Sequence, residues 1–120
     1  MRILIVDDEQ SLTRLLQRHL QNAGHAVQCY SEPKPALLDL ESAVPSYDLL
    51  ITDMSMPQMS GLEIATAALA HNPKLRVLLC SGYPIEPPSD HRIGFLLKPF
   101  MPRMLTDAID RLFGGTASAS

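Results

Sequence analysis

Only two cysteines occur in the 120 residues, Cys29 and Cys80. Each lies within an apolar run that reads as a strand, with neither metal-ligand nor Cys-x-x-Cys spacing, so both are read as buried free thiols rather than a disulfide or a zinc site. A basic cluster is also missing. Ten Lys and Arg residues are scattered from Arg2 to Arg111 and the net charge is −3, which leaves no electrostatic footprint for nucleic acid and argues against direct DNA binding. No apolar run approaches the roughly 20 residues of a membrane span, and the N-terminus leads straight into a strand without a signal-peptide pattern, so the expectation is a cytoplasmic protein with no membrane insertion. His19, His25, His71 and His91 share no ligand spacing. No Gly- or hydroxyl-rich loop follows the first apolar run, which removes the cradle a flavin phosphate would need.

What remains is a chain that is 46% hydrophobic, enough for one globular domain burying about two-thirds of its unfolded-chain surface. Residues 2–6 are uniformly apolar with β-branched Ile3, Ile5 and Val6, a pattern typical of a strand buried on both faces. Leu12, Leu15, Leu16 and Leu20 then repeat with helical period until Asn22-Ala23-Gly24 stops them. Residues 26–30 read as a strand. Pro33 and Pro35 open a short helix that Pro45 closes, and 47–53 is again a strand. Leu62, Ala65 and Leu69 mark the next helix, ended by Asn72-Pro73, before a strand at 75–80. Pro84, Pro87 and Pro88 break the alternation where another helix is due, leaving room for one turn near Ser89 to Arg92. A strand at 93–97 and a helix through Leu105, Ala108, Ile109 and Leu112 complete a domain over 1–113. Residues 114–120 are expected to form a flexible C-terminal tail.

Strands alternating with helical segments predict a doubly wound α/β fold: a five-stranded parallel sheet, order 2-1-3-4-5, with the segment where a fourth of five helices would stand lost or reduced. Right-handed crossovers bring every strand's C-terminal end to one edge, with a crevice between the first and third strands. Asp7 and Asp8 follow the first strand, Asp53 ends the third, Ser81 the fourth, and Lys98 follows the fifth. Taken singly, Asp7 and Asp8 suit a helix N-terminus and Ser81-Gly82 an ordinary turn. Together, three carboxylates so close repel one another, and a divalent cation resolves the repulsion. Hard oxygen ligands suit Mg²⁺, which accepts one or two carboxylates plus a phosphate oxygen. With Lys98 opposite, the set is equipped for phosphoryl transfer to Asp53, and Ser81 is placed to hydrogen-bond a phosphoryl oxygen.

Val6-Asp7-Asp8-Glu9, Asp53-Met54-Ser55-Met56-Pro57 with Gly61 after it, Ser81-Gly82 and Phe95-Leu96-Leu97-Lys98-Pro99-Phe100 together resemble the receiver domain of two-component response regulators, over essentially residues 2–113. The resemblance implies a flavodoxin-like fold and a signalling phosphoacceptor rather than an enzyme, assisting only its own phosphorylation and dephosphorylation. It implies that Asp53 receives a phosphoryl group from a histidine kinase or histidine phosphotransfer protein. Asp8 and Asp53 would bind Mg²⁺ by their side chains and Ser55 by its backbone carbonyl, with Asp7 acting mainly through water. Ser81 takes the hydroxyl switch position, Phe95 the aromatic switch and Lys98 the phosphate-binding role, with a cis Lys98-Pro99 bond. The proline-rich 82–92 segment departs from the family, and it supplies the competing reading: a phosphorylation-independent binding module that docks through that segment. Aspartyl phosphatases fit less well, since a second acid is expected where Ser55 stands.

Overall fold

The computed structural model describes residues 1–42, 44, 46–86 and 88–114. Pro45, Pro87 and all of the expected tail except Gly114 therefore lie outside the described residues. Five strands, β1 (Arg2–Val6), β2 (Ala26–Tyr30), β3 (Leu49–Asp53), β4 (Arg76–Ser81) and β5 (Ile93–Leu97), alternate with helices α1 (Gln10–Asn22), α2 (Pro33–Ser42), α3 (Gly61–His71) and α4 (Pro102–Leu112). All neighbouring strands are parallel in the order β2-β1-β3-β4-β5, the doubly wound arrangement expected from the sequence.

The period-two alternation of side chains sorts the sheet into two dry faces. Leu4, Val6, Leu50, Val77 and Leu79 pack under Ala36 and Leu40 of α2 and Ile64, Ala65, Ala68 and Leu69 of α3. Ile3, Ile5, Leu49, Ile51, Leu78 and Cys80 pack under Leu16 and Leu20 of α1 and Leu105, Ala108 and Ile109 of α4. Burial on both faces explains the unbroken apolar runs Ile3–Val6 in β1 and Leu49–Ile51 in β3.

Helix α1 begins at Gln10, a half-turn before the Leu12 expected from periodicity. Gln10 and Ser11 are polar and carry no periodic signal, while the Asp7 side chain anchors the entry by accepting the Glu9 backbone N–H at 2.9 Å. Between β4 and β5 no helix forms among the described residues, as the prolines require. One turn closes the segment at His91 and Arg92, and Ile85 packs against the α2–α3 side of the core. Cys80 is buried as expected, whereas Cys29 is only half-buried because β2 is an edge strand, and both thiols are free. Among the described residues no helix is long and apolar enough to cross a membrane.

Candidate functional site

Strand register assembles the site. Val6 pairs with Thr52, Asp53 with Cys80 and Ser81 with Leu97, so the residues at the strand ends fall level along one edge of the sheet. The alternation that points Ile3 and Ile5 toward α1 and α4 continues to Asp7, as Leu49 and Ile51 do to Asp53, and Leu96 to Lys98. The three side chains meet. Lys98 Nζ donates to Asp7 Oδ2 at 2.8 Å and to Asp53 Oδ1 at 3.4 Å, although Asp7 and Lys98 stand 91 residues apart in the chain.

Asp7 is held from three sides: its backbone N–H donates to the Tyr30 carbonyl at 3.1 Å, Oδ1 accepts from Glu9, and Oδ2 accepts from Lys98. Asp7 is 4% exposed and Asp53 9% exposed, while Asp8 faces solvent. Carboxylate oxygens of Asp7, Asp8 and Asp53 all lie within 4.8 Å of one another. Burial, and then the charge of Asp7, push the Asp53 carboxyl above its ordinary pKa. Lys98 and the Ser55 backbone N–H oppose them and lose. For Lys98, burial works against the charged form, but the hydrogen bond and charge of Asp7, with Asp53 behind it, leave the ammonium above its usual value. One lysine therefore does not neutralise the cluster. A hard oxygen set with surplus negative charge fits a divalent cation, which is the physical test a magnesium site must pass.

Ser81 ends β4 with 2% exposure, and its Oγ accepts the Tyr83 backbone N–H at 3.0 Å. Its carbonyl accepts the Lys98 N–H at 2.7 Å, which ties β4 to the lysine-bearing turn. The Lys98–Pro99 bond is cis. Phe95, in β5, is partly buried against the α2–α3 side of the core. Ser55 lies exposed in the loop after β3, where only its backbone adjoins Asp53.

Two supports have roles that the sequence alone did not assign, although Gly61 stands in the matching motif. Gly61 approaches the acceptor so closely that a Cβ there would collide with the Asp53 carbonyl oxygen, and its N–H donates to the Met54 carbonyl at 2.9 Å. The second is the capping box of α3, in which Ser60 Oγ accepts from Glu63 N–H and the Glu63 carboxylate accepts from Ser60 N–H. The Ser-x-x-Glu spacing carried that signal.

Residues 3–110 match the family model described as the response regulator receiver domain. The chain is 31% identical over 116 residues to the response regulator receiver protein CpdR of Brucella abortus, covering 92% of this chain and 95% of that one. Three longer curated relatives are spanned over only 12% to 44% of their length. Among solved structures, the receiver domain of the hybrid histidine kinase CckA superposes with a TM-score of 0.82 at 28% identity, covering 93% of this chain and 98% of that one. The response regulator TrrA of Thermotoga maritima, solved in complex with Mg²⁺-BeF, gives 0.77 at 28% identity over 92% and 97%. Sheet order, the acid cluster opposite a lysine and these matches over nearly the whole chain agree: the protein belongs to the response regulator receiver domain family, the phosphoacceptor signalling domains of two-component systems.

Proposed function

We propose that Asp53 accepts a phosphoryl group from a histidine kinase or histidine phosphotransfer protein in a Mg²⁺-dependent reaction, and that the phosphorylated chain alters partner interactions. The observation that carries this is Lys98 held between Asp7 and Asp53 in a cluster that keeps surplus negative charge. A carboxylate oxygen of Asp53 attacks the phosphorus of the donor's phosphohistidine. The O–P bond forms as the N–P bond breaks, and the leaving electron pair returns to the imidazole. Lys98 fixes a positive charge beside the transferring phosphoryl oxygens. The Ser81 oxygen already accepts from Tyr83, which leaves its O–H to donate to a phosphoryl oxygen. The side chains of Asp8 and Asp53 and the Ser55 carbonyl, with Asp7 beside them, would hold Mg²⁺, which would supply further charge neutralisation. Phe95, half-buried on the edge strand, is the aromatic that responds to the state of Ser81.

In this reading the unit is residues 1–113, it works in the cytoplasm where histidine kinases present their phosphohistidine, and it turns over no substrate beyond its own phosphoryl group. Incubation with acetyl phosphate and Mg²⁺ followed by intact-mass measurement tests it. A single base-labile phosphate, absent from Asp53→Asn, is expected, and no gain in mass sinks the proposal. Docking through 82–92 without phosphorylation is the weaker alternative, because it leaves the charge cluster without a role.

A further inference from the structure

We propose that Met54, Met56 and Met59 form an oxidation site, through which a two-electron oxidant such as hydrogen peroxide disables Asp53 as a phosphoryl acceptor. The inference rests on the acceptor reading just given. Of the chain's six methionines, three lie in the loop that follows Asp53 and two, Met101 and Met104, where α4 begins. The other sulfurs are withdrawn. Cys80 is 2% exposed, and Cys29 is half-buried with its thiol directed at the Thr13 carbonyl and its pKa pushed up by burial. A thioether needs no deprotonation to react. The methionine sulfur gives an electron pair to a peroxide oxygen, the O–O bond breaks, the oxygen stays on sulfur and water leaves. Sulfur is oxidised by two electrons and the peroxide reduced by two.

The consequence differs between the two groups. Met101 and Met104 are 66% and 49% exposed, so their sulfoxides stay in water. Met54, Met56 and Met59 are partly buried against the α2–α3 side of the core, so a sulfoxide there sets a polar oxygen against an apolar face and weakens the contacts that hold the loop down. The loop is then loosened. Its ends are bonded directly to the acceptor's surroundings: Met54 N–H donates to the Cys80 carbonyl at 2.8 Å and Gly61 N–H to the Met54 carbonyl at 2.9 Å. Gly61 also rests against the Asp53 carbonyl without room for a Cβ. A displaced loop therefore carries the Asp53 backbone with it, and small misplacements of a reacting group cost rate steeply.

The test treats the full chain with graded hydrogen peroxide, maps sulfoxides by peptide mass spectrometry, and follows both amide exchange and phosphate uptake from acetyl phosphate with Mg²⁺. Uptake is expected to fall roughly 10- to 100-fold as Met54, Met56 and Met59 oxidise. Exchange at the Met54 and Gly61 amides should accelerate about tenfold or more. Methionine sulfoxide reductases should restore both, and an M54L/M56L/M59L variant, close in volume to the native chain, should keep its uptake at the same dose. Oxidation of these three with unchanged uptake and exchange overturns the proposal, as does oxidation confined to Met101 and Met104. A chain that takes up no phosphate before oxidation refutes the acceptor reading and the functional half of this one. The exchange rates, which need no phosphorylation, then decide the structural half.

Discussion

Burial and the charge of Asp7 both favour the protonated form of Asp53, so folding without a cation works against this carboxylate. The sign follows from linkage. A carboxyl whose folded pKa lies above its unfolded value binds its proton more tightly in the native state, so stability is lost as pH rises from the ordinary aspartate range, near 4, through the folded value. Asp53→Asn keeps the shape and removes the charge, while Lys98 retains Asp7 at 2.8 Å. The variant should therefore be more stable than the native chain at pH 7 in EDTA by about 1 kcal/mol. The gap should close as pH is lowered below the ordinary aspartate range. Urea unfolding at a series of pH values measures it, and a variant less stable at pH 7 would contradict the charge argument.

The segment joining β4 to β5 shows how far an element can be read before its partners are known. Its prolines foretold that no helix would form, because each removes a donor and crowds the preceding turn. They did not reveal what holds the segment. Arg92 grips Asp90 through Nε at 3.0 Å and Nη2 at 2.8 Å, and reaches the Pro73 carbonyl at 3.3 Å. That last partner lies in the loop after α3, 19 residues away, so local pattern could not supply it. Hydrogen bonds donated by the Arg92 guanidinium and by its backbone N–H hold the Asp90 carboxyl well below the usual carboxylate range. A depressed folded pKa contributes order that is complete above the unfolded value and is lost only as pH falls through the folded one. Amide protection at Ile93, whose N–H donates to the Asp90 carbonyl at 3.0 Å, should therefore persist well below pH 4. Arg92→Ala should lose that protection at every pH, as hydrogen exchange would reveal; equal protection in both proteins would assign no role to the clasp. At α3 the signal was local and legible. Ser60→Ala removes the capping-box acceptor and should cost about 1 kcal/mol in urea unfolding.

For the molecule as a whole, strand order and the convergence of the candidate residues were legible together, because acids, serine and lysine each stand where an apolar run stops and a parallel sheet brings those stops to one edge. The charge balance was not legible, since it depends on burial and on which acid Lys98 chooses. That balance couples the site to global stability. The cluster of Asp7, Asp8 and Asp53 exists only in the folded chain, so a cation that binds it favours the native state by mass action. At a hundredfold excess over its dissociation constant, Mg²⁺ should add about 2.7 kcal/mol. For a domain of this size that is roughly a 10 °C rise in the unfolding temperature, reversed by EDTA. Because the ligands must be deprotonated, the rise should shrink as pH falls through the raised pKa of Asp53. Asp8→Asn and Asp53→Asn should each lose most of it in a thermal melt. If Mg²⁺ raises the melting temperature of Asp53→Asn as much as that of the native chain, the cation binds elsewhere, and the acid cluster is not its site.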